Sequence, residues 1–257
     1  NLLIAIRSKI PWMAAIPAVL IGANQPISLN GRIIGKFGII LSCIISIFIG
    51  LLAASSWHDV LKFLSSMPFG QNDPIFGQDV SFYVFSLPVF SLGLGLIKTV
   101  ILISLIGCGA IYILRGSLNL SSLFPKIDLS KLTGKPENLV QKSAKNQISD
   151  PNARLHMGIL LSLFLATIAV GTYLSLYNLL TSQSGPVFGA AFTDANVMVP
   201  ILRVSVFVYG TASILALFYG ISGRIAPLFG AIFLTAIVGF ASSIIPGVFQ
   251  KLVVAPN

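Results

Sequence analysis

Hydrophobic and polar positions fall into long blocks along this chain, without the two-residue alternation of half-buried strands. Five apolar runs stand out: Ile33 to Trp57, Pro88 to Leu114, His156 to Leu180, Asn196 to Gly220 and Ile225 to Pro246. Each supplies the roughly 20 residues that a helix needs to cross a hydrocarbon layer about 30 Å thick. A further run, Ile10 to Ala23, is shorter and holds Pro11 and Pro17, which suits a re-entrant or interfacial segment better than a crossing. Backbone polar groups in lipid must be satisfied within their own segment, so the runs are expected as helices; they are too long and too evenly apolar for barrel strands. The predicted fold is all-α, a polytopic transmembrane helix bundle of about five spans plus the short N-terminal apolar segment.

Small residues recur four apart within these runs. Ser42, Ser46, Gly50 and Ala54 form one stripe, and Gly158, Ser162 and Ala166 a second. Ala212, Ala216 and Gly220 form a third, and Ala231, Thr235, Gly239 and Ser243 a fourth. Such stripes let helix backbones approach closely where lipid and neighbour are equally apolar.

Between the runs, polar residues set the expected organisation. Residues 1–257 read as one membrane-embedded domain, in which 116–155 is the long hydrophilic stretch and 58–87 a shorter loop segment expected on the outer face. The long stretch is flanked and filled by Arg115, Lys126, Lys131, Lys135, Lys142, Lys145 and Arg154, against Asp128, Glu137 and Asp150. Basic loops stay on the cytoplasmic side, so 116–155 is expected as a flexible cytoplasmic loop, with lipid headgroups as an alternative engagement for its lysines. Arg7, Lys9, Arg32, Lys36 and Arg224 fit the same side, whereas 58–87 holds one Lys and Thr181 to Ala195 holds none. One assignment satisfies every connection: a multi-pass protein of the cell membrane with its C-terminus extracytoplasmic.

Composition supports a lipid solvent. Hydrophobic residues make up 55% and charged residues 9%, too little polar surface to keep a domain of this size dissolved. The net charge of +9 comes from residues placed between the apolar runs, so it reads as topology and lipid contact, and no nucleic-acid partner is expected. Cys43 and Cys108 lie inside apolar runs and offer neither a disulfide framework nor a metal spacing. The opening NLLIAIRSK resembles the tail of an earlier span and FQKLVVAPN breaks off without a polar tail, so the chain is expected to be a fragment that continues into an extracytoplasmic region.

The most distinctive text follows the first run. Trp57 begins W-x(5)-F-L, and Phe69, Gly70, Asp73, Pro74, Phe76, Gly77, Asp79, Phe82, Tyr83 and Pro88 anchor F-G-x-x-D-P-I-F-G-x-D-V-x-F-Y-V-F-x-L-P. Asp73-Pro74 and the two glycines demand turns, the aromatics suit the headgroup zone, and Pro88 is expected to open the next helix. This text resembles uncharacterised protein family 0182, large multi-pass proteins of bacteria and archaea. LYNLLTSQSGPVFGAAFTDANVMVP is similar to that family's G-A-x-Y-T-D-x-x-x-x-L-P stretch, with Phe192 where the family has Tyr, and FQKLVVAPN is similar to its Q-x-x-V-x-P-N. The resemblance implies an extracytoplasmic domain after these residues and assigns no activity.

Ionisable groups inside a membrane are the leading site candidates, here Lys98 and Arg203 with Asp73, Asp79 and Asp194 as possible polar or ion-pair partners. Structural anchoring by snorkelling is one reading, and a polar path between helices the other. Asp194 is the first candidate partner for Arg203. Only two histidines exist, His58 and His156, expected on opposite faces, and Asp59, Asp73, Asp79 and Asp194 are expected as local caps, so no metal site is predicted. No phosphate loop, nucleophile elbow or cofactor box appears, and neither catalytic residues nor cofactors are predicted. The expected role is a membrane anchor, scaffold or docking subunit for an extracytoplasmic domain or another membrane protein. Transport of an anionic solute or lipid, and a membrane enzyme using the outer carboxylates, are the alternatives.

Overall fold

The computed structural model describes residues 31–114, 151–181, 183–184, 187–189 and 192–251. The expected N-terminal apolar segment and residues 116–150 of the expected cytoplasmic loop lie outside them. The elements in chain order are α1 (Gly31–Ala54), α2 (Trp57–Leu64), α3 (Leu87–Leu114), α4 (Pro151–Thr181), strands β1 (Gln183–Ser184) and β2 (Val187–Phe188), α5 (Val199–Ser222) and α6 (Ala226–Phe249). β1 and β2 form one short antiparallel pair, and all other described elements are helical. Five helices are long and apolar enough to cross a membrane, at the positions of the five predicted runs. The chain is a multi-pass helical membrane protein by fold.

Helix ends differ from the sequence expectation in an instructive way. Pro88 does not open a helix: a π-helical turn, Phe82–Ser86, runs straight into α3, and the Leu87 N–H reaches back to the Phe82 carbonyl. A second π-helical turn, Asp194–Met198, precedes α5 with Val199 N–H on the Asp194 carbonyl, and Pro200 follows. In both, the widened turn lies directly upstream of a proline, which lacks an N–H and whose ring collides with the carbonyl one α-turn back. The extra residue relieves that collision and lets each helix extend beyond its proline toward the loop. At its other end, α4 begins at Pro151, five residues before the predicted start, because proline is favoured at a first helical position. The 58–87 connection is also partly helical, through α2.

Packing centres on α4 and α5. A Cβ built on Gly158 would lie 2.5 Å from the Gly220 Cα, so two of the predicted stripes meet backbone to backbone at this crossing. One turn along, the Ser162 and Ser213 hydroxyls are 3.0 Å apart, and Ser213 Oγ donates to the Ser162 carbonyl at 2.9 Å. Ala212 and Ala216 are fully buried beside Leu165, and Ala231 brings α6 onto the same cluster. A second cluster, Cys108, Ile111, Tyr112, Ala153 and Leu160, joins α3 to α4. The α3–α4 register is antiparallel: Tyr83 lies near Tyr177, Leu94 near Gly171, and Met157 near Gly109.

α1 packs only sparsely on the bundle, chiefly along α3. Ser42 and Ser46 of its stripe line an apolar groove of about 360 Å³ shared with Ser104 and Gly107 of α3. Many large apolar side chains around the bundle are exposed, Phe207 by 75% and Phe240 by 69%, which is the surface that lipid would cover.

Candidate functional site at the loop face

The connection between α2 and α3 is built around two carboxylates. Asp73 begins the turn Asp73-Pro74-Ile75-Phe76, where proline sets the backbone for the second position. Its Oδ1 accepts N–H bonds from Ile75 at 2.8 Å and Phe76 at 2.7 Å. Its Oδ2 accepts the Gln78 N–H at 2.9 Å and the Tyr83 hydroxyl at 2.7 Å. Asp79 does the same for the approach: Phe69 N–H and Ser81 N–H donate to Oδ1, and Gly70 N–H donates to Oδ2 at 2.8 Å. Gly70 and Gly77 have φ of +71° and +69°, a left-handed conformation that glycine adopts without a side-chain clash. Backbone bonds from Asp73 N–H to Gln78 O and from Val80 N–H to Gln71 O close the loop.

Electrostatics follow from those bonds. Burial pushes the Asp73 carboxyl up, but bonds from Phe76, Tyr83, Gln78 and Ile75 outweigh it and hold the group below its ordinary value. Asp79 is lowered to about 2, chiefly by the Ser81 hydroxyl and amide, with the Phe69 and Gly70 amides adding to them. Both groups are therefore carboxylates at neutral pH whose lone pairs are spent on the chain's own donors.

An aromatic cluster fixes the loop to the bundle. Phe76 and Phe82 have ring centroids 5.1 Å and 5.3 Å from Tyr177 of α4, while Phe63 of α2 meets Phe90 of α3 at 5.8 Å edge-on. Tyr173 and Tyr177 share a hydroxyl–hydroxyl bond of 2.8 Å. Beneath Phe76 these tyrosines and Arg203 of α5 enclose a pocket of about 370 Å³, half open to the surroundings. Neither tyrosine stood out in the sequence reading; their four-residue spacing at the end of a span was the available signal.

The predicted polar residues separate. Asp73 and Asp79 are in the loop, and Arg203 faces the tyrosine pocket. Lys62 and Asp59 form an exposed ion pair 3.2 Å long, and no such pair joins Asp194 to Arg203. Asp194 instead opens the π-helical turn before α5. Near it, Thr193 Oγ1 donates to Gln250 Oε1 at 2.5 Å and Phe192 stacks on Phe249, tying the start of α5 to the end of α6. Lys98 is exposed on α3, beyond Leu94 and so nearer mid-span than Arg203. His156 receives or donates a 2.9 Å bond at Nδ1 with the Tyr112 hydroxyl, far along α4 from the tyrosine pocket, and His58 stacks beside Trp57. No group of three or more His, Cys, Asp or Glu side chains suited to a metal ion occurs among the described residues.

Comparison with known proteins gives one family. The model described as "Uncharacterised protein family (UPF0182)" matches residues 21–257. A UPF0182 protein of Trichlorobacter lovleyi is 28% identical over 265 residues, covering 100% of this chain and 26% of that protein. One of Geotalea uraniireducens is 31% identical, covering 88% of this chain and 23% of the relative. One of Kocuria rhizophila is 28% identical over 83% of this chain and 20% of the relative. The chain thus spans about a quarter of the length of these relatives. No solved structure matches it.

Proposed function

Since this chain belongs to the uncharacterised protein family UPF0182, whose members extend well beyond its length, we propose that the bundle is a membrane anchor and docking platform. Its loop face would hold an extracytoplasmic region of the whole protein or a second membrane protein. The observation that carries this reading is the loop itself. Two carboxylates and an aromatic cluster hold it in one shape, and that shape presents Met67, Phe69 and Ile75 outward, exposed by 75%, 51% and 43%. Apolar side chains on an ordered segment outside the spans are a surface made to be covered by protein. A polar path finds less support. At the Gly158–Gly220 crossing the α4–α5 contact is closed backbone to backbone, the groove beside α1 is walled by apolar and small side chains, and Lys98 lines neither that groove nor the tyrosine pocket.

A photo-crosslinking residue at Ile75 of the full-length protein, in its native membrane, tests the reading. The expected product is a protein adduct, within the same polypeptide or with a second membrane protein, while the same probe at Phe207 gives lipid adducts. Lipid adducts alone at Ile75 would reject docking. Anion flux in sealed vesicles that Lys98→Met abolishes would make transport the better reading.

A further inference from the structure

We propose that the pocket between α4 and α5 beneath Phe76 binds the phosphodiester of a glycerophospholipid, with Arg203 as its anion ligand. Depth is the first argument. Tyr177 lies one helical turn before the end of α4 at Thr181, roughly 6 Å by helical rise, and Tyr173 one turn deeper. Arg203 shares the pocket with both, so its charge sits where phosphates and glycerol backbones lie, at the border of the hydrocarbon.

Charge is the second. A guanidinium does not lose its proton, and no carboxylate among the described residues pairs with Arg203. Asp73, the acid closest in this cluster through Tyr83 and Tyr177, has both oxygens committed to four donors of its own loop. The planar fork of Arg203 is matched to two phosphate oxygens. The tyrosine pair adds a donor: two hydroxyls joined by one hydrogen bond leave one O–H free to point at an acceptor.

Shape is the third. Apart from Arg203 and the two hydroxyls the walls are apolar, formed by Phe76, Leu176, Val206 and Phe207. The volume of about 370 Å³ is that of a small ligand site, and the half-open side lets acyl chains leave along Phe207, which is 75% exposed. A site for a soluble anion has no use for such a flank.

The test is lipid titration of purified full-length protein in neutral detergent, read by native mass spectrometry. Phosphatidylglycerol and phosphatidylcholine should each bind as one retained molecule, while diacylglycerol, which has the chains without the phosphate, should not compete. Arg203→Gln should weaken retention at least about tenfold, the scale of one charge-assisted contact. Arg203→Lys should recover part of it, and Arg224→Gln at the opposite end of α5 should have no effect. If Arg203→Gln fails to fold, Tyr173→Phe with Tyr177→Phe decides instead, through an expected weakening of severalfold. Equal retention by Arg203→Gln or by the folded double-tyrosine variant would overturn the site, as would equal competition by diacylglycerol. Saturation by inorganic phosphate without lipid would overturn the assignment of a lipid ligand.

Discussion

At the scale of single residues, the loop carboxylates show where charge alone misleads. Asp73 and Asp79 are legible in the sequence as conspicuous acids near two membrane cations, and Asp73-Pro74 with two glycines is legible as a turn. What a sequence does not display is the set of backbone N–H groups that a turn gathers, and those, together with Tyr83, take up both carboxylates. Asp73→Ala should leave the donors of Ile75, Phe76 and Gln78 without their acceptor, at a cost of about 3 kcal/mol, while Asp73→Asn keeps one carbonyl oxygen and costs less. Thermal unfolding in detergent, with limited proteolysis between Ser66 and Ser81, checks the order Ala worse than Asn. Asp79 gives the pH dependence. Its folded value of about 2 lies below the ordinary 3.8, so its contribution is complete above 3.8 and is lost as pH falls through 2. Amide exchange at Gly70 and Ser81 should therefore remain slow at pH 5 relative to the unfolded chain and lose that protection between about pH 4 and pH 2; protection lost already at pH 5 would contradict this.

Among the elements, the five spans were legible because run length is a direct requirement of the bilayer, whereas their ends were not. Pro88 looks like a helix start, yet it follows a π-helical turn that absorbs it, as Pro200 does, and a widened turn has no composition of its own. Of the four small-residue stripes, the α4 and α5 stripes meet each other, and α6 joins the resulting cluster through Ala231. Gly50 and Gly239 have no atom within 4 Å of a built Cβ, so the same spacing marks a contact in one helix and an open face in another. The difference sets a paired experiment. Gly158→Ala drives a methyl into the Gly220 backbone and should cost about 1–3 kcal/mol, since two rigid helices must separate to admit it. Gly239→Ala meets nothing and should change stability by less than about 0.5 kcal/mol. Equal unfolding temperatures for the two variants would remove the α4–α5 crossing from its place as the tight contact of the bundle.

For the molecule as a whole, the spans and their pairing divide the connections between two ends. Arg154, at the start of α4, donates from Nε to the Gly220 carbonyl at 3.2 Å and packs on Gly223, where α5 terminates with a left-handed cap. A cation is favoured at the carbonyl end of a helix, so this contact has an electrostatic reason as well as a geometric one. It ties the start of α4 to the α5–α6 turn that carries Arg224. The Asp73 loop, the β1–β2 pair and the end of α6 belong to the other end, where Phe76 packs on Tyr177 of α4 and Thr193 bonds Gln250. Basic residues are retained on the cytoplasmic side, so the Arg154 end should be cytoplasmic and the loop face extracytoplasmic. With Cys43 and Cys108 replaced, a cysteine introduced at Ser66 should react with an impermeant thiol reagent on intact cells. One at Ser143 should react only after lysis. Ser66 is exposed and beyond the end of α2, which makes its labelling a readout of side rather than of burial. The reverse pattern would invert the bundle and place the phospholipid pocket in the cytoplasmic leaflet. Labelling of both sites on intact cells would contradict α3 as a membrane crossing, since the two positions flank it.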